Sequence, residues 1–263
     1  MTDLDALLAI AGAAVDKAQR TIQATPVGAV TAKGDRDMAT EVDYAVEYAL
    51  RAFLAEETPH VEFLGEEEGR SGAHGQLMWA LDPVDGTANF ARGLPLCGVS
   101  LALLDQGIPV IGVIDLPFLG IRYSAASGRG ALANGEQLAA SRVSNLSDAL
   151  VSLGDYAVGA DADEKNRQRF ALTTALASRV QRVRMFGSAA IDLAWVAHGR
   201  TDACLALANK PWDVAAGVCI AREAGAVVVD VDGTSHSESS SATIAVGPGL
   251  LKPLLELVRQ SLE

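Results

Sequence analysis

Residues 81–90 read LDPVDGTANF. The run that leads into them, LMWALD (77–82), is apolar, has strand length and ends on an acid. Pro83 fixes one backbone dihedral, so Asp82, the Val84 carbonyl and Asp85 can converge on one point while Gly86 and Thr87 present backbone N–H groups behind them. A hard cation such as Mg2+ takes oxygen ligands of this kind, keeps some waters and completes its shell with a substrate phosphate. Taken alone, the string serves a plain strand-to-helix turn equally well, because Asp and Gly are turn residues whatever else they do.

Two further stretches deliver carboxylates in the same manner. VEFLG (61–65) is a short apolar strand, and Glu66 follows it directly in LGEEEG (64–69), whereas a merely solvated acidic run more often lies along a helix face. Glu67 and Glu68 read as solvated. In KPWD (210–213), Asp213 stands immediately before the helical pattern VAAGVCIAREAG, where its plainer role is a helix N-cap.

Outward from these points the chain alternates. Leu4, Leu7, Leu8, Ala11, Val15, Ala18 and Ile22 fall at helical spacing and predict an amphipathic first helix. TPVGAVTAKGDRDMAT breaks the period; Thr40 followed by Asp43 then has the form of a capping box opening a second helix that runs to about Glu56. CGVSLALL (97–104) leads through Asp105-Gln106-Gly107 into IPVIGVI, a hairpin, and IRYSAA (121–126) extends the antiparallel sheet. SGRGALANG (127–135) reads as a glycine-rich connection. Beyond about residue 147, apolar ALVSLG, helical RQRFALTTALASRV, short RVRMF, helical AAIDLAWVAHG, strand-like DACLAL, helical VAAGVCIAREAG and strand-like AVVVDV predict stacked α and β layers. A polar loop (232–242) and a helix over LLKPLLELVRQSL close the chain. With no repeat and no long linker, the expectation is one domain over 1–263, with an N-terminal lobe over about 1–146 and a C-terminal lobe over about 147–263.

At 263 residues and 49% hydrophobic, the chain has ample material for a core. A formal net charge of -12 opposes nucleic-acid backbones and anionic membranes as general partners, and an anionic substrate needs local help that a divalent cation supplies. Cys97, Cys204 and Cys219 are widely spaced without a CxxC, the pattern of buried reduced thiols. The first residues carry acids where a secretory leader carries bases, and no apolar run reaches the roughly 18 residues of a membrane span, so a cytoplasmic location is expected. CxxxxxR and GxSxG motifs are absent, and His60, His74, His198 and His236 lack ligand spacing, so none of these marks a covalent nucleophile or a catalytic histidine.

LGEEEG, LDPVDGTANF and KPWDVAAG, in this order and at these separations, resemble the inositol monophosphatase family of Mg2+-dependent phosphatases. KGDRDMATEVD (33–43) and RVRMFGSAAIDLAWVAHGRTDA (182–203) match it too, so the resemblance runs over most of the chain. It implies an α/β fold layered as an α-β-α-β-α sandwich, of the inositol monophosphatase and fructose-1,6-bisphosphatase type, commonly homodimeric, lithium-sensitive and dependent on two to three Mg2+. Carried onto this sequence, it assigns Glu66, Asp82 and the Val84 carbonyl to one ion, Asp82, Asp85 and Asp213 to a second, and a weaker third ion to the neighbourhood of Glu66. Asp43 and Thr87 form the hydrogen-bonded pair that orients the attacking water. The backbone amides of Gly86 and Thr87 hold phosphate oxygens, and Lys33 is the basic residue near the metals, in a glycine-flanked loop.

Gly187, Ser188 and Ala189 match the stretch whose backbone faces the substrate's hydroxyls, with Asp85 accepting from that side. One departure stands out: the inositol-cleaving members carry a glutamate seven residues before the last metal aspartate, and this chain has Ala206 there. The substrate implied first is inositol 1-phosphate; histidinol phosphate or another sugar or polyol phosphate is the alternative. A bisphosphate nucleotide phosphatase fits less well, since no nucleotide-binding insert is evident. A regulatory binding protein that keeps the fold without turnover would be expected to lose a metal carboxylate, and none of Glu66, Asp82, Asp85 and Asp213 is lost.

Overall fold

Leu7, Ala11, Ala14, Val15, Ala18 and Ile22 are the buried side of α1 (Leu4–Ala24), the stripe its spacing predicts. The computed structural model describes residues 3–25, 30–32, 38–72, 74–207 and 210–262. Within the stretch where the helical period breaks, β1 (Val30–Ala32) and β2 (Met38–Thr40) pair antiparallel, a ribbon the sequence did not announce. α2 (Glu41–Glu57) begins at the expected capping box, with Thr40 at the cap and Asp43 returning the bond to the Thr40 backbone.

β3 (Glu62–Gly65), β4 (Gly69–Ser71), β5 (Leu77–Asp85), β6 (Gly98–Asp105), β7 (Ile108–Leu116), β8 (Ile121–Ala126), β9 (Ala131–Ala133) and β10 (Glu136–Gln137) form one sheet, in the order β10-β9-β8-β7-β6-β5-β3-β4. All its pairings are antiparallel except β3 with β5, which run parallel so that both end at the same edge. That single parallel pair sets Glu66 and Asp82 side by side. β9 falls inside the stretch that reads as a glycine-rich connection, because a three-residue strand between glycines is hidden by them.

α3 (Thr87–Ala91) follows β5. β11 (Leu150–Leu153), α4 (Ala162–Ala177), β12 (Arg182–Arg184), α5 (Ala189–Ala197), β13 (Ala203–Ala206), α6 (Pro211–Glu223), β14 (Val227–Val229), β15 (Thr243–Val246) and α7 (Leu251–Leu262) complete the chain. The second sheet has the order β12-β11-β13-β15-β14, with β11 parallel to both neighbours and the other pairs antiparallel.

Alternation along the strands builds the layers. Trp79 and Leu81 pack with α1 and α2, whereas Met78 and Ala80 on the opposite face join the core of α5 and α6. Cys204, Val228 and Ala245 meet that central helical layer from the second sheet, while Leu205, Val229 and Ile244 turn outward to α4 and α7. The result is the expected α-β-α-β-α sandwich. The three cysteines are free and buried, and burial pushes the Cys97 and Cys219 thiols up to about 12.

Candidate active site

β5 ends in a kink. Its register against β6 shifts between Asp82 and Asp85, which is where Pro83 removes a ladder donor, and the Val84 N–H turns back to Asp82 Oδ1 at 3.0 Å. Gly86 then takes a left-handed conformation (φ 84°), and a Cβ there would sit 2.8 Å from the Leu96 carbonyl, so only glycine fits both the turn and the approach. Asn89, in α3, donates to the carbonyls of Leu96 and Phe186 at 2.8 and 2.7 Å and ties this turn to the segment entering α5.

A cavity of about 350 Å³ opens here. Glu66, Asp82, Val84, Asp85, Gly86, Thr87, Gly187, Ser188, Ala189, Ala206 and Asp213 all line it. Asp43 touches it through Thr87, whose hydroxyl lies 3.2 Å from Asp43 Oδ1 and 3.0 Å from the Val84 carbonyl. One proton serves one acceptor at a time, so Thr87 chooses between the two. Asp43 Oδ2 accepts from the Thr40 N–H at 2.8 Å and the Thr40 hydroxyl at 2.5 Å. Lys33 lies outside the described residues.

Asp85, in the cavity wall, also meets the start of α5. Oδ2 accepts from the Ser188 hydroxyl at 2.5 Å and the Ala190 N–H at 2.7 Å, and Oδ1 from the Ala189 N–H at 3.3 Å, so the carboxylate caps the start of α5. Asp213 is not the helix N-cap its position offers. Pro211 begins α6, Lys210 caps it without a side-chain bond, and Asp213 sits in the first turn, where the aspartate faces the cavity. Of the two acids read as solvated, Glu68 is exposed and Glu67 half-buried.

The electrostatics follow from crowding. Burial first, then the charges of Glu66, Asp85, Asp213 and Asp43, hold Asp82 well above the ordinary carboxylate range. Burial raises Asp85 to about 6 against the pull of Ser188 and the α5 amides, and raises Asp43 as well. Among the described residues no three such side chains already close round an ion. The donor set itself is all oxygen and mutually repulsive, and that fits a hard divalent cation, whose charge would relieve the strain on Asp82.

Several residues of the site carried no sequence signal. Glu47 is buried in α2, one turn beyond Asp43; its two carboxylate oxygens accept the N–H groups of Glu67 and Glu68 at 2.8 and 3.0 Å, and Arg51 adds a bond at 2.5 Å. A Cβ at Gly65 would lie 2.3 Å from that carboxyl group, so the glycine before Glu66 makes room for it. Asp155, Arg169 and Asp192 line the cavity from the second half of the chain. Glu47 and Asp192 look like solvent-facing helical acids until the tertiary fold buries them. By contrast, His74 meets Glu62, His198 meets Tyr123 and His236 meets Thr243, and none of them borders the cavity.

A family model described as the inositol monophosphatase family matches residues 2–263. The chain belongs to the inositol monophosphatase family. As a member it is a phosphoric monoester hydrolase. It is 35% identical over 229 residues to the inositol-1-monophosphatase ImpA of Mycolicibacterium smegmatis, covering 87% of this chain and 83% of that protein. It is also 37% identical over 206 residues to the Nus factor SuhB of Xylella fastidiosa, covering 78% and 73%. The inositol monophosphatase structure from Anabaena (Nostoc) sp. PCC 7120 superimposes with a TM-score of 0.88 at 33% identity, over 98% of this chain and 97% of that one.

Proposed function

We propose that this inositol monophosphatase family member hydrolyses phosphate monoesters of small polyols, inositol 1-phosphate among them, with two to three Mg2+ as cofactor. The observation that carries the reading is the convergence of Glu66, Asp82, Asp85 and Asp213 on one cavity, with the Thr87–Asp43 contact at its edge. Kinship with the inositol-1-monophosphatase ImpA supports the polyol. Glu66, Asp82, the Val84 carbonyl, Asp85 and Asp213 would hold the ions. When bound, Mg2+ supplies charge neutralisation of the ester, a lowered water pKa and stabilisation of the leaving alkoxide.

The remaining roles belong to the chain. Thr87 Oγ1 takes a proton from the attacking water as it passes its own to Asp43 Oδ1, and burial of Asp43 makes that carboxylate the stronger base. The N–H groups of Gly86 and Thr87 hold phosphate oxygens. Gly187, Ser188 and Ala189 border the alcohol, and Ala206 presents a methyl group to it; Lys33 would add positive charge near the ions. α5 and α6 pack against both sheets, which supports treating the two lobes as one phosphatase unit. Exposed Leu94 and Phe118, the latter packed at a tilt against Phe90, support a homodimer, for which light scattering should give twice the chain mass. Buried reduced thiols fit a cytoplasmic enzyme.

Phosphate release from inositol 1-phosphate should require Mg2+, and Asp82→Asn should abolish it while circular dichroism stays that of the wild type. Full activity after exhaustive chelation, or in Asp82→Asn, would overturn the reading. A binding-only protein would give no release at any Mg2+ concentration.

A further inference from the structure

The turn after β5 and the segment that enters α5 come from opposite halves of the chain, yet Gly86 and Thr87 from one and Gly187, Ser188 and Ala189 from the other line the same cavity. Their backbones nearly touch. A Cβ at Gly86 would lie 3.2 Å from the Gly187 carbonyl, and one at Gly187, whose φ is 70°, would lie 3.2 Å from Asn89 Nδ2. Glycine at both positions is what lets the two turns come this close.

Among the described residues, two side chains of the first turn bridge to that segment. Asp85 accepts from the Ser188 hydroxyl and from the Ala189 and Ala190 N–H groups, and Asn89 donates to the Phe186 carbonyl. Their duties differ. Asp85 is also a proposed metal ligand, so an ion would draw on the oxygens that hold α5. Asn89 is kept for the bridge alone. Its Nδ2 carries two hydrogens and spends both on carbonyls, at 2.8 Å on Leu96, seven positions away, and at 2.7 Å on Phe186, 97 positions away. Acceptors on both sides fix the orientation of the amide, because Oδ1 would be repelled by either. The backbone anchors the other end: the Asn89 N–H bonds the Gly86 carbonyl at 2.9 Å, and the Asn89 carbonyl accepts the Leu94 N–H at 2.9 Å. Asn89 is thus a bracket between Gly86 and the residue just before Gly187.

We infer that Asn89 is a positioning residue that sets the spacing between the turn at Gly86–Thr87, which would hold the transferred phosphate, and the turn at Gly187–Ala189, which would border the alcohol. This rests on the phosphatase reading above. An ester whose leaving group offers no hydroxyl needs only the first turn and the ions. A polyol phosphate touches both turns, and its fit depends on their separation, since hydrogen bonds weaken steeply away from their preferred distance and angle.

The test compares inositol 1-phosphate with 4-nitrophenyl phosphate, whose leaving group presents no hydroxyl, at one free Mg2+ concentration. Asn89→Ala should lower kcat/KM for inositol 1-phosphate by about tenfold, the scale of one to two neutral hydrogen bonds, chiefly through a raised KM. The value for 4-nitrophenyl phosphate should stay close to that of the wild type, as should the affinity for Mn2+ measured by calorimetry. Asn89→Ser, whose one hydroxyl can serve only one of the two carbonyls, should fall between and stands in if Asn89→Ala fails to fold. Equal losses on the two esters, no loss on either, or a loss of Mn2+ affinity that matches the loss of turnover would overturn the inference and leave the phosphatase reading intact. No turnover of any ester by the wild type would remove that reading, and the inference with it.

Discussion

Asp43 holds two structures together with one carboxylate. Oδ2 closes the capping box at the start of α2, and Oδ1 faces the Thr87 hydroxyl 3.2 Å away. Helix geometry therefore fixes the group that would receive the proton, which makes Thr87 the cleaner residue to alter. Thr87→Val keeps the shape and deletes the hydroxyl, so kcat should fall by about 10²-fold or more, the scale of a positioned proton transfer. Stability should change by only about 1 kcal/mol, since one hydrogen bond is lost from a partly buried site. Steady-state kinetics beside thermal melts separate the two effects. An unchanged kcat would mean that the water is oriented without this pair. The sequence made Asp43 and Thr87 legible because both fall in local patterns, a capping box and a turn after a strand. Ser188 was legible only as backbone, and its bond to Asp85 Oδ2 joins residues about a hundred positions apart.

At the level of elements, α2 works as a jig. One face presents Asp43 to Thr87, and a turn later Glu47 grips the backbone that follows Glu66, with Arg51 bonding Glu47, the Gly69 carbonyl and the Ser71 hydroxyl. Groups that orient ligands from behind typically change metal affinity by about 10- to 100-fold when altered. Glu47→Gln keeps the volume but turns one acceptor into a donor against an N–H group. Mn2+ binding measured by calorimetry should weaken by about that factor, with the far-ultraviolet spectrum unchanged. Affinity within twofold of the wild type would show that the pairing of Glu66 N–H with the Leu81 carbonyl, at 3.2 Å, suffices to hold the turn. Helices and long strands were legible here because periodicity is a local property. β15 was not: TIAV is four residues between a polar loop and Gly-Pro-Gly, yet it pairs with both β13 and β14 in the second sheet. A strand this short is defined by its neighbours rather than by its own pattern.

Over the whole molecule, buried ionisable groups set how stability responds to pH. Asp192 is raised from 3.8 to about 8, chiefly by burial, with the nearby Ser152 hydroxyl pulling the other way. Between those values the folded protein holds a proton that the unfolded chain has released, so folding stability falls as pH rises through this window. Asp82 and Asp85 act with the same sign in the metal-free protein. His236 acts oppositely: burial lowers it from 6.5 to about 4, so its contribution is intact above 6.5 and is lost as pH falls toward 4. The two slopes oppose each other below 6.5, and above it the carboxylates act alone. The midpoint of urea unfolding in chelator should therefore decline from pH 6.5 to pH 8. Asp192→Asn should flatten part of that decline, because the amide has no proton to release. Saturating Mg2+ should flatten the fall that Asp82 and Asp85 add in the metal-free protein, the Asp85 part lying below about pH 6, and because the Asp85 charge also raises Asp192 the two effects are coupled. An equal decline in wild type and Asp192→Asn would show that Asp192 ionises as freely in the fold as in the open chain, and the cavity wall beside Arg169 would then carry a negative charge in place of a neutral donor.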